Sequence, residues 1–142
     1  MTAIRPLHLL IAVLLSMTAQ ADTDSDTGLK KIMQDLQSDS AVVVEGLLID
    51  DFDTIADAAA RIANHPRIPP EQVALVAAEL GAQMPAFKQL DALVHNLALS
   101  IGTAAQEGDS NSIAANYTRM LDGCLACHAS YRQRVSEVLN PD

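Results

Sequence analysis

From Leu29 to Leu139, apolar residues recur three and four positions apart, with no sustained alternation. That spacing matches the turn of an α-helix and not the two-residue pleat of a strand. Abundant alanine strengthens the helical preference. The chain is therefore expected to be all-α. Leu29, Ile32, Met33, Leu36, Val43, Val44 and Leu47 form one stripe, predicting a first helix over Leu29 to Ile49. Asp50 and Asp51 break it, and Asp51 can cap a second helix over Phe52 to Asn64, with Ile55, Ala59 and Ile62 facing inward.

His65-Pro66 ends that helix, because a residue before proline avoids helical geometry. Pro69-Pro70 makes a stiff joint, and Pro70 suits the first turn of a short helix, Glu71 to Leu80. Pro85 does the same for a long helix over Pro85 to Gln106, its inner positions Phe87, Leu90, Val94, Leu97 and Ile101. Asp109 or Ser110 can cap a last helix over Asn111 to Leu139, ended by Asn140-Pro141. Four long amphipathic segments with mostly short connections predict an antiparallel four-helix bundle. No internal repeat or low-complexity segment interrupts them.

A length of 142 residues suits a single domain. The start of the chain reads as an export signal spanning residues 1–21. Arg5 is its positive region, Leu9 to Leu15 its short apolar run, and Ala19-Gln20-Ala21 its cleavage site. That run is shorter than the roughly 20 residues a bilayer crossing needs. The expected location is the periplasm, with a mature domain over residues 22–142 that has no transmembrane segment. Asp22 to Asp26 reads as an acidic tail. The formal net charge is −9, and loss of Arg5 would make it more negative. Such a surface repels phosphate backbones, so nucleic acid is not expected as a partner, whereas a basic redox protein is compatible.

Aromatics make up only 3% of the chain and tryptophan is absent. Large rings usually supply much of a core's buried area. A core without them is either aliphatic throughout or filled in part by something other than protein.

The two cysteines both lie in Cys124-Leu125-Ala126-Cys127-His128. C-x-x-C-H reads as a c-type haem attachment site. Residues three apart share a helix face, so both sulfurs can reach the vinyl groups on one porphyrin edge. His128 can meet the iron from the same side. Gly123, Ala126 and Ala129 are small enough to let a flat ring approach the backbone. Three alternatives compete. A thioredoxin-type dithiol belongs to a βαβ context that is missing here. A zinc site needs four ligands, and no second Cys/His pair is suitably spaced. A disulfide at i, i+3 within a helix is sterically poor.

With the motif near the C-terminus, on the last of four helices, and continuing as Ala129-Ser130-Tyr131-Arg132, the chain resembles the cytochrome c-prime family, the class II c-type cytochromes. The resemblance implies one covalent haem c on Cys124 and Cys127, with His128 as proximal iron ligand. Tyr131 and Arg132 match the family's aromatic-basic pair. The family divides on the opposite haem face. One branch leaves the iron five-coordinate and binds small gases; the other supplies a methionine and carries electrons. Met33 aligns with that distal position, so the resemblance implies a single-electron carrier rather than an enzyme. The gas-binding form is the alternative. Many relatives carry a basic residue one turn before the distal position; here Leu29 is four before Met33, and Lys30 can stand in. Relatives often dimerise through their first two helices.

Other residues carry plainer expectations. Arg132 is one turn beyond His128, placed either to pair with a haem propionate or to serve as a helix-end cation. Met120 lies two turns before His128, on its side of the ring, and Met84 stands at a helix start. Tyr117 and Tyr131 read as packing residues, His95 as a hydrogen-bonded or half-exposed histidine, and His65 as a helix-end residue. Val42 to Val44 and Leu47 to Ile49 are apolar on more than one face, an excess that suits a homodimer surface.

Overall fold

The computed structural model describes residues 28–140. The expected export signal and acidic tail lie outside the described residues. Five α-helices and one 3₁₀ turn follow in order: α1 Leu29–Leu48, α2 Phe52–Ala63, α3 Pro70–Leu80, the 3₁₀ turn Gly81–Gln83, α4 Met84–Gln106 and α5 Ser110–Leu139. No strand occurs among the described residues, and the chain is all-α as its periodicity predicts.

The helix ends follow local chemistry. Asp51 caps α2, its carboxylate accepting from the Thr54 amide at 3.1 Å and the Thr54 hydroxyl at 2.7 Å. Asp109 caps α5 in the same way, accepting from the Ser112 amide at 3.0 Å and its hydroxyl at 2.6 Å. These bonds satisfy amide donors that the first helical turn leaves free. Pro70 opens α3 and Pro85 sits in the first turn of α4, where a missing N–H costs nothing. Gly108, with φ of +67°, makes the turn between α4 and α5 in a conformation that side chains resist.

Helix α1 packs along α2, α2 along α4, and α4 along α5, while α1 and α5 scarcely touch. The core divides in two. One cluster joins Val43 of α1, Ile55 and Ile62 of α2, Leu97 and Ile101 of α4, and Ile113 and Met120 of α5. The other joins Leu29 at the start of α1, Val76 and Leu80 of α3, and Tyr131 and Val135 of α5, with Phe87, Leu90 and Cys127 packed against it. The first is aliphatic apart from the partly buried Phe52 and Tyr117 at its edge. The second holds an edge-to-face pair, Phe87 and Tyr131, with centroids 5.6 Å apart.

The α1 stripe is narrower than its sequence suggests. Leu29, Ile32 and Val43 are buried, but Met33 is 39% exposed and Val44 is 37% exposed. Each follows a buried residue by about 100° of helical rotation, which turns it onto the flank of the stripe. At the end of α1, Leu48 and Ile49 are 80% and 74% exposed. Among the described residues, no helix is long and apolar enough to cross a membrane.

Candidate functional site

The C-x-x-C-H segment lies in the interior of α5, well clear of either end. Gly123, just before it, is buried against α4. A Cβ there would meet Leu93 Cδ2 and Val94 Cγ2 at 3.4 Å. The small residue expected to admit a flat ring instead admits a neighbouring helix; Ala126 and Ala129 are exposed.

Cys124 and Cys127 are free thiols, each partly buried. Cys127 packs against the second cluster, at the level where the two clusters part. Burial pushes the Cys124 thiol above its ordinary pKa. Burial pushes Cys127 up as well, reinforced by the neighbouring Cys124 and the Asp91 carboxylate. Reactive dithiols require the opposite shift, toward the thiolate. Among the described residues, no three His, Cys, Asp or Glu side chains stand close enough to hold a metal ion by themselves.

His128 is exposed, and its ring has no hydrogen-bond partner among the described residues. It borders a shallow depression on α5 together with Arg132, Gln133 and Glu137. Arg132 is exposed there too.

One contact sets the register between α1 and α5. The Tyr117 hydroxyl lies 3.0 Å from Ser40 Oγ and donates to the Ser40 carbonyl at 3.2 Å. Residues 4, 7 and 11 positions beyond Tyr117 share its face of α5; they are Leu121, Cys124 and His128. Residues 7 and 11 positions before Ser40 share its face of α1; they are Met33 and Leu29. Leu29 does reach the cluster that holds Cys127 and Tyr131. Met33 and Cys124 are thus each about 10 Å along their helices from the Ser40–Tyr117 contact. Between those faces the helices scarcely pack. Met33, Leu121 and the neighbouring Leu125 remain exposed, Leu125 by 64%. The α5 face in line with Tyr117 thus carries one thiol and an imidazole, and the α1 face in line with Ser40 carries a thioether.

The chain matches no protein-family model, no curated protein and no solved structure.

The remaining residues settle into structural roles. His95 Nδ1 pairs with the Ala63 carbonyl at 2.8 Å, as a hydrogen-bonded histidine should. His65 Nδ1 lies 2.8 Å from the Pro66 carbonyl, and its Nε2 lies 3.7 Å from Asp91. Met120 is buried in the first cluster, and Met84 packs against the second. Two residues that sequence reasoning passed over bind α3 to its neighbours. Arg134 donates to Glu79 Oε1 at 2.8 Å, to the Glu79 carbonyl at 2.7 Å and to Gln83 Oε1. Gln72 Oε1 accepts from the Leu29 amide at 2.8 Å. No sequence signal marks either, since polar residues on a helix usually face solvent.

Proposed function

We propose that the chain is a periplasmic mono-haem c-type cytochrome, built as an antiparallel four-helix bundle and resembling the Met/His-ligated branch of the cytochrome c-prime family. The observation that carries this is the α5 face turned toward α1, on which Cys124 and His128 stand in line with Tyr117. Cys124 and Cys127 would hold the haem through two thioethers, and His128 and Met33 would ligate its iron. Arg132, one turn beyond His128, is placed to pair with a propionate. The bound haem supplies a one-electron iron couple, and Met/His ligation raises its potential.

The chain's own residues then have separable tasks. Leu29, Leu90 and Phe87, in the cluster that Cys127 joins, would supply an apolar wall. The Ser40–Tyr117 contact holds α1 and α5 in register, and Met33 would then stand across from the α5 face. An exposed haem edge would serve as the contact for redox partners. The acidic surface favours a basic redox partner. No bond-making step on a substrate is required of any residue. The exposed Leu48 and Ile49 suit a homodimer contact, which a monomer on gel filtration at micromolar concentration would refute.

A second reading is favoured by the exposure of Met33, which belongs to neither core cluster. If Met33 does not ligate, the sixth position is open and the protein binds nitric oxide or carbon monoxide. Optical spectra of the oxidised and reduced protein separate the two. The electron carrier is low-spin with slow or absent carbon monoxide binding, and Met33→Ala converts it to a high-spin, gas-binding form. A Met33→Ala spectrum identical to wild type would rule out Met33 as a ligand.

A further inference from the structure

Helix α1 begins without a cap of its own. Its N-cap residue is Gly28, which has no side chain to offer, and no acidic residue lies in its first turn. The free amide of Leu29 is satisfied from 43 residues away, by Gln72 Oε1 of α3 at 2.8 Å. Gly28 is itself buried under that amide group, since a Cβ on it would lie 3.0 Å from Gln72 Nε2. The other end of α3 is held to α5 by Arg134 through Glu79 and Gln83. Helix α3 therefore ties the start of α1 to the half of α5 that follows the cysteine motif, across the side where α1 and α5 scarcely pack.

Met33 is one turn beyond Leu29 on the same face, about 6 Å along the axis. Its own side chain is held by neither core cluster. Its approach to the α5 face follows the seating of the first turn of α1, through Leu29 in the second cluster and the buried Ile32 beside it. We infer that Gln72 is a positioning residue for Met33: by capping α1 from α3, it holds the first turn of α1 at the distance from α5 at which the thioether can ligate iron. This rests on the cytochrome reading above. Gln72 touches neither the haem nor the iron in this arrangement. It acts through the Leu29 amide alone.

The test uses the full-length chain matured with haem in an export-competent bacterium. Gln72→Ala removes the cap, and Gln72→Glu keeps the acceptor oxygen. Loss of a helix cap shifts a local equilibrium by about two- to thirty-fold. In Gln72→Ala, the fraction of iron with Met33 detached, read from the high-spin signal and from the carbon monoxide association rate, should rise by about that factor. The Leu29 amide should exchange with solvent faster by a similar factor. Gln72→Glu should restore both. Gly28→Ala, which crowds the Gln72 amide, should move both in the direction of Gln72→Ala. A low-spin wild type with a Gln72→Ala variant indistinguishable from it in spectrum and carbon monoxide binding overturns the inference and leaves the cytochrome reading standing. A wild type that is already high-spin overturns both Met33 ligation and the role given to Gln72. If Gln72→Ala does not accumulate, Gln72→Glu and Gly28→Ala decide: equal spectra in those two variants count against the inference.

Discussion

The two core clusters are built from the same long helices and yet pack differently. In the first, Val43, Ile55, Ala58, Ala59, Ala98, Ile101 and Ile113 are completely buried. Small alanines on α2 and α4 let those helices approach closely, and isoleucines fill the space between. In the second, Leu29, Tyr131 and Val135 each keep 7–8% exposure, Cys127 is only partly covered, and α1 and α5 stand apart. Protein interiors normally pack to the density of organic crystals. A chain that achieves this at one end has the means to achieve it at the other. The end that carries the pair of thiols is the less tightly covered of the two at Leu29, Tyr131 and Val135. Both regions carry long-range polar ties, Ser40–Tyr117 and His95–Ala63 in the first and those of Gln72 and Arg134 in the second, and the first adds local caps at Asp51 and Asp109.

The sharpest way to break this comparison is to remove the thiols. Wild-type protein exported from a haem-maturing bacterium should have the mass of polypeptide plus one haem, and the Cys124→Ala/Cys127→Ala variant the mass of polypeptide alone. Wild-type protein with the bare polypeptide mass would mean that the second region is simply a loosely packed core. The next effect falls on the first region. Ile101→Ala should cost about 2–5 kcal/mol in denaturant unfolding, because Ile101 is fully buried within the first cluster. Its optical spectrum should stay unchanged. A cost under about 1 kcal/mol would show that the first cluster is no better packed than the second.

The smallest effect is one of pH. Asp51 and Asp109 are held below the ordinary aspartate pKa, chiefly by the hydroxyls of Thr54 and Ser112 and then by those residues' amides. A depressed folded-state pKa means that the folded protein binds a proton less readily than the unfolded chain. The contribution is complete above the unfolded aspartate pKa of about 3.9. It is lost as pH falls through the lower folded values. Asp51→Asn and Asp109→Asn should therefore flatten the acid side of the stability–pH curve. Acid unfolding followed by circular dichroism checks both. An unchanged curve would remove the caps from the account of the first region's stability.

Much of this was legible beforehand because it is local. Periodicity predicts each helix to within a residue or so at either end, since caps such as Asp51 and Asp109 and starts such as Pro70 and Pro85 act within four residues of themselves. The cysteine spacing predicts a shared face for the same reason. The width of a stripe was less legible: Met33 and Val44 read as inward and lie on a flank, because hydrophobicity marks a side chain as buriable without saying which neighbour arrives to cover it. Gly123 read as room for a ring and proved to be room for α4.

Sequence alone determined the helices, their ends and the C-x-x-C-H constellation, because hydrogen bonding within a helix and side-chain spacing along it are short-range properties of the chain. Tertiary structure decided which faces meet. The Ser40–Tyr117 register, the Gln72 cap on Leu29 and the seam between two clusters join residues 43 to 77 positions apart in sequence. Contacts of that kind exist only after the helices have packed, and no residue announces its distant partner in advance.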